Sequence, residues 1–305
     1  MIVDAHTHLF SPEVITQRAR YLERDAFFGA LYRSPRARTI GAAELIAAMD
    51  ASGVECAVVA GWAWQHHEIC VEQNTWLIEI ARQYPQRLIV LCTVQPNAGD
   101  AAIRELQRCI ESGLAGVGEL NADGQGFRLD DATFVQLART AIELGVPLLL
   151  HTNEPVGHAY PGKGQLSLAA IYALVRQLPD LRLVLAHWGG GYPFYELMPE
   201  VRAASQNVFY DTAASPLLYA PTIFRTVINI VGADKILFGS DYPLILYPKR
   251  QKEPAMQPFL DEVRNAGLTN EELEKILGRN ARRVFTRTSL TTRCDVAARD
   301  SVPLE

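Results

Sequence analysis

Short apolar runs alternate with amphipathic stretches along most of this chain. Eight runs read as strands: Ile2–His6, Val54–Ala60, Leu88–Val94, Gly116–Leu120, Val146–His151, Arg182–His187, Asn207–Asp211 and Lys235–Asp241. Several, such as VPLLLH and RLVLAH, are nearly continuous in Val, Leu and Ile, as strands buried on both faces of a parallel sheet are. Between and after them, helical spacing of apolar residues covers 41–52, 68–84, 98–112, 131–144, 166–178, 194–205, 220–231 and 256–266. Strands alternating with helices in this way predict an α/β fold, a (β/α)8 TIM barrel. An open doubly wound sheet is the alternative, but no GxGxxG follows the first strand to support it. Phe10–Thr39 is long for a loop between a strand and its helix. It is expected to be an insertion after the first strand, holding a short helix or acting as a lid. Leu244–Ala255 reads as a second, irregular segment. From Thr286 the pattern turns polar and weakly periodic, so a barrel over 1–285 and a loosely docked tail over 286–305 are expected.

The composition narrows the class. Of 305 residues, 49% are apolar and 21% charged, enough to build a large core. A net charge of −5 argues against a nucleic-acid partner. No apolar run reaches about 18 residues, so no membrane span is expected. The first residues lack the basic and apolar regions of a secretory leader, and a cytoplasmic location is expected. Cys56, Cys70, Cys92, Cys109 and Cys294 are widely spaced with no CxxC, which reads as reduced thiols and not as a disulfide frame. The partner expected is a small-molecule substrate.

The candidate chemistry lies at the ends of the strands. The chain opens MIVDAHTHLF, and in an extended strand His6 and His8 point to one side. His151 ends the fifth strand (LLLHTNEP), His187 the sixth (LVLAHWGGG) and Asp241 the eighth (FGSDYP), with Glu119 at the end of the fourth (GVGELN). All fall at the C-terminal face of the predicted barrel, where active sites form. One such histidine reads equally well as a satisfied polar residue at the rim. A set of them around one axis reads as a metal site. Imidazole and carboxylate donors without thiolate suit Zn²⁺ or Mn²⁺.

DAHTH, a strand-end His, AHWGGG, FGSDYP and GRNARRVF (Gly278–Phe285) together resemble the metal-dependent amidohydrolase superfamily. The likeness is to the amidohydrolase-2 branch, which includes aminocarboxymuconate-semialdehyde decarboxylase and related decarboxylases alongside lactone hydrolases. It runs over roughly residues 1–285; HxH alone is weak, but the ordered set is specific. The resemblance implies one or two divalent ions, zinc first and manganese second, and a homodimer. His6, His8 and His151 would bind metal. Asp241 would bind it or accept a proton from metal-bound water, and His187 would hold a second ion or act as acid/base. Glu119 departs from the mononuclear decarboxylases, which need no carboxylate there. It reads either as a bridge between two ions, as in other superfamily members and TatD-like deoxyribonucleases, or as an outer acceptor or substrate contact.

Other positions are softer. Asp4 is expected on the His6 face but deeper, beside the ligands and not among them. Gly189, Gly190 and Gly191 permit close backbone approach or a tight turn, and Trp188 beside them is a candidate substrate contact. Trp62, Trp64, Gln65, His66 and His67 line a pocket for a planar substrate or form a solvated loop. His158 and Lys163 are candidate substrate contacts. The arginines of the insertion (18, 20, 24, 33, 36 and 38) suit an acidic substrate, but a solvated charged face is the plainer reading. The function expected first is a hydrolase whose metal-bound hydroxide attacks a lactone, amide or ester carbonyl. The alternative is non-oxidative decarboxylation of an aromatic or muconate-type acid on the same donors. The acidic balance counts against a nuclease.

Overall fold

In the computed structural model, residues 1–247 and 251–286 are described. Apart from Thr286, the expected tail lies outside the described residues, as do Cys294 and 248–250 of the irregular segment. Eight strands form one parallel sheet in sequence order: β1 (Val3–His8), β2 (Cys56–Ala60), β3 (Leu88–Cys92), β4 (Gly116–Leu120), β5 (Leu148–Leu150), β6 (Leu183–Leu185), β7 (Val208–Asp211) and β8 (Ile236–Leu237). The last segment returns to the first through Ala5 N–H to Phe238 O (2.6 Å), Asp241 N–H to His6 O (2.9 Å) and His8 N–H to Tyr242 O (2.8 Å). The sheet is therefore a (β/α)8 barrel, as the alternation of runs predicts.

Two apolar layers explain the near-continuous runs. Val3, Val58, Leu91, Leu149, Val184 and Leu237 meet inside the barrel. Their neighbours Val59, Val90, Leu148, Leu150, Leu183 and Leu185 face outward onto the helices. Ala281, Val284 and Phe285, from the helix Asn280–Phe285, join the inner cluster beside Val3 at the start of β1. They close the N-terminal end and leave the opposite mouth to polar side chains. β5, β6 and β8 are shorter than the apolar runs that contain them.

Two strands break the simple alternation. In β1, Val3 pairs with Cys56 and Asp4 with Ala57, but Thr7 pairs with Val59 and His8 with Ala60. One extra residue is accommodated between Asp4 and Thr7, a β-bulge, which flips the faces of everything after it. Val3 therefore faces the interior before the bulge and His8 after it, on the side of Ala60. Asp4 is thereby set against Ala57 of the outer layer and does not share the His6 face as alternation predicts. Its buried carboxylate accepts from Ser240 N (3.0 Å), Ser240 Oγ (2.5 Å) and His6 N (3.1 Å). β4 does the same: Val117 pairs with Leu148 but Leu120 with Leu150, so Gly118 and Glu119 share the space of one partner. Gly118 sits at φ +123°, and a Cβ there would lie 2.2 Å from Leu149 O. No other residue type fits beneath Glu119.

The insertion holds three short helices, Pro12–Thr16, Arg18–Arg24 and Ala26–Tyr32. It is stitched to the barrel. The Asp25 carboxylate caps the third helix at Phe28 N (2.8 Å) and accepts from Gln65 N (2.7 Å). Gln65 Nε2 in turn donates to Gly124 O (2.8 Å). Phe10, Tyr21, Phe28 and Trp64 form a separate apolar cluster beneath. No helix among the described residues is long and apolar enough to cross a membrane.

Behind the sixth strand, Ser215 Oγ accepts from the indole of buried Trp188 (3.0 Å) and also bonds Glu262, on the helix Gln257–Arg264. Burial pushes the Glu262 carboxyl from 4.5 up to about 7. The unfolded chain therefore releases this proton before the folded one does. Stability contributed by protonated Glu262 is full below pH 4.5 and is lost as the pH rises through 7. Glu262→Gln is expected to match the parent's melting temperature at pH 4 and to exceed it at pH 8. Melting curves across that range check this; a difference that does not change with pH rules it out.

Candidate metal centre

Glu119 stands at the middle of the open mouth. Its Oε2 lies 3.4 Å from His6 Nε2 and 3.5 Å from His8 Nε2, and its Oε1 lies 2.8 Å from His151 Nδ1 and 3.5 Å from His187 Nε2. Asp241 Oδ1 completes the first pair, 3.3 Å from His8 Nε2 and 3.8 Å from His6 Nε2. His6, His8 and Glu119 thus converge as one potential ligand group, and Glu119, His151 and His187 as another. The six metal-ligand candidates from the sequence come together here.

The backbone delivers these groups by different means. His6, His8 and Glu119 arrive through the two bulges. His151 follows Leu149 on the inner face of β5. His187 turns in at φ +57° and Asp241 at φ +63°, conformations that non-glycine residues adopt rarely and chiefly at functional sites. Trp188 and Gly189–Gly191 continue in the left-handed region. A Cβ on Gly190 would lie 2.3 Å from Asn153 O. Both readings of the glycines hold: a tight turn and a close approach.

The far nitrogens are held too. The Asp211 carboxylate accepts from His6 Nδ1 (2.8 Å) with one oxygen and from the backbone N–H groups of His187 (2.9 Å) and Ala213 (3.0 Å) with the other. His187 Nδ1 lies 3.1 Å from Ala213 O, and Asn153 Nδ2 donates to His151 Nε2 (3.0 Å). Such outer contacts fix tautomer and ring orientation, as they do for metal-binding imidazoles. His8 Nδ1 alone of these is buried without a partner.

The electrostatics call for positive charge. Burial alone would raise Glu119, but the charges of His6 and His151 and hydrogen bonds from His151 and His187 outweigh it and hold the carboxyl well below its ordinary range. Burial likewise opposes the Asp241 shift, yet His8, His6 and His187 bring it down. His187, which burial would lower, is held up at about 9 by its Glu119 hydrogen bond and the Asp241 and Glu119 charges. Protons on His6 and His187 help meet the carboxylates' demand; a divalent cation would meet it with fewer groups.

A cavity of about 620 Å³ opens above these groups. Phe27, Leu31, Tyr32 and Trp62 form one wall and Leu217, Leu218, Leu244 and Ile245 the other, with Arg36, Arg38, His158 and Tyr160 around it. Trp62 and His158, two of the candidate substrate contacts, line this cavity. Trp188 does not: it is fully buried against Phe224 and bonded to Ser215, behind the ligand turn. Lys163 spends its ammonium on the carbonyls of Val156 (2.8 Å) and His158 (3.1 Å), holding its own loop. Trp64 is in the insertion's core, and Gln65 serves as a tie. Arg18 binds the carbonyls of Tyr32 and Ser34 instead of a ligand. Sequence reasoning missed Asp211, Asn153 and Tyr32. Asp211 ends its strand as Asp241 follows the eighth, so the same strand-end argument reaches it; Asn153 and Tyr32 carry no comparable signal.

A family model described as Amidohydrolase matches residues 3–287. Among characterised proteins, the 2-amino-3-carboxymuconate-6-semialdehyde decarboxylase of Dictyostelium discoideum is 23% identical over 68% of this chain and 64% of its own length, just under two thirds. The 2-keto-4-carboxy-3-hexenedioate hydratase of Sphingobium sp. is 25% identical over 70% of each chain. The gamma-resorcylate decarboxylase of Polaromonas sp. is 23% identical over 72% of this chain and 76% of its own. Among solved structures, 5-carboxyvanillate decarboxylase from Sphingomonas paucimobilis superposes with a TM-score of 0.77 at 18% identity, covering 94% of this chain and 99% of that one. A dihydroxybenzoic acid decarboxylase from Polaromonas sp. JS666, with bound manganese and 2-nitroresorcinol, superposes at 0.71 and 20% identity, covering 93% and 96%.

Asp211→Ala strands three buried donors, on His6, His187 and Ala213. At about 1 kcal/mol or more for each unsatisfied group, a loss of roughly 3 kcal/mol is expected without any metal, and Asp211→Asn should lose less. Urea unfolding measures both; an alanine variant as stable as the parent would refute the assignment.

Proposed function

The chain belongs to the amidohydrolase family, and on that premise we propose that it is a metal-dependent carboxy-lyase, releasing CO₂ from an aromatic or muconate-type acid. The observation that carries this reading is the placement of a clustered imidazole–carboxylate donor set below an apolar, partly aromatic cavity. Such a cavity suits a planar conjugated acid. Two decarboxylases and a hydratase among the relatives support a lyase over the hydrolase expected first.

His6, His8, His151 and Asp241 would hold a divalent ion, with Glu119 and His187 beside it. The mixed donor set fits manganese as well as zinc, and manganese is the ion named for one structural neighbour. Bound there, the ion would act as a Lewis acid towards a substrate oxygen. The carbon–carbon bond to the carboxylate breaks, CO₂ leaves, and the electron pair left on carbon takes a proton. Asp241 and His187 both line the cavity and are the two groups placed to carry that proton. The apolar walls keep competing water away from the reacting carbon.

A second reading rests on Glu119. It belongs to both ligand groups, as a bridge between two ions would, and a two-ion centre suits hydrolysis of a lactone, amide or ester.

Elemental analysis of protein supplied with manganese and zinc, together with a CO₂-release screen of aromatic and muconate-type acids, separates the two. The lyase is expected to hold one ion per chain in the parent and in Glu119→Gln. Asp241→Asn should lower turnover at least about 100-fold. Two ions in the parent, one in Glu119→Gln, and lactone hydrolysis without CO₂ release would establish the hydrolase instead.

A further inference from the structure

Tyr32 ends the third helix of the insertion and lines the cavity with His8, Glu119 and Asp241. Its ring is fixed from several sides. It stacks on Phe28 with centroids 4.6 Å apart, and it meets Phe10 at 5.1 Å and Trp62 at 4.9 Å edge-on. Its backbone is fixed as well, because the Arg18 guanidinium binds the Tyr32 carbonyl and the nearby Ser34 carbonyl. Every side-chain contact described for Tyr32 is made by the ring, and the polar contacts with Arg18 are made by its carbonyl. The hydroxyl is left without a hydrogen-bond partner among the described residues, on a side chain that borders the cavity. A phenol packed this firmly, with its polar end unspent, is a donor set in place before its acceptor arrives.

We propose that Tyr32 is a specificity-determining donor of this pocket: its hydroxyl hydrogen-bonds an oxygen of the bound planar acid, from the insertion side of the cavity. The inference rests on the reading of the cavity as a site for such an acid and adds the group that grips it. Burial, and then the charges of Asp241 and Glu119, hold the phenol well above its ordinary pKa, so it keeps its proton throughout the neutral range. The acceptor it selects is an oxygen. A ligand with carbon at that position leaves the hydroxyl unpaired and binds more weakly.

Tyr32→Phe removes one oxygen and keeps the ring packing, so folding is preserved. The probe is benzohydroxamate, a planar aromatic ligand whose oxygens bind divalent ions, titrated calorimetrically into manganese-loaded protein. The variant is expected to bind about tenfold more weakly, the worth of one hydrogen bond, with unchanged melting temperature and metal content. A purely structural tyrosine would move the melting temperature and not the affinity alone. Equal affinity in parent and variant overturns the proposal, and so does a parent that does not bind the probe. The CO₂ screen is scored separately. If the affinity falls as expected but no acid releases CO₂, the donor stands and the lyase reading fails.

Discussion

A carboxylate withdrawn from water must find positive charge close by, and the centre of this barrel is built around that demand. Glu119 lies within 3.5 Å of four imidazoles. Three of them, His6, His151 and His187, are held in turn by Asp211, Asn153 and a backbone carbonyl, so those rings cannot turn away to relieve the crowding. The cluster is costly to bury and well ordered. Its cost is met by the apolar barrel beneath, which places the donors on rigid strand ends and not on loops.

Much of this was legible in the sequence, because strand ends and donor types are written in local patterns. The runs ending in His151 and His187, the HxH of His6 and His8, and the acid at Asp241 needed only the rule that barrel chemistry lies at the C-terminal mouth. The route by which His6 reaches the mouth was not legible. Two-residue alternation puts His6 and His8 together correctly, but it also puts Asp4 with them, and the bulge separates it. A bulge is a tertiary compromise between two strands and leaves no mark in either strand's own periodicity. Trp188 and Lys163 show the opposite failure. Both sit in promising motifs, yet packing and loop geometry direct one into the core and the other onto carbonyls. Tyr32 was invisible for the same reason: its place depends on how a long insertion docks.

The donors and the insertion divide the work. The strand ends set a chemistry shared by lyases and hydrolases, so the ligand set alone does not choose between them. One wall of the cavity above them comes largely from the insertion, through Phe27, Leu31 and Tyr32. Asp25 and Gln65 bind that wall to the loops after β2 and β4, so a change in the insertion alters which molecule fits while the metal-binding end stays as it is.

The seam of the barrel runs through the site. His6 and His8 come from the first strand, Asp241 from just after the last, and the hydrogen bond from Asp241 N–H to His6 O fastens one to the other. The complete donor set does not exist until the first strand has met the segment after the eighth. An ion that needs all of these groups therefore binds the closed barrel far better than any partly folded form, and by mass action each equivalent bound draws the ring shut. Closure and loading are then coupled: the first half of the chain already carries His6, His8 and Glu119, but Asp241 reaches them only as the barrel closes.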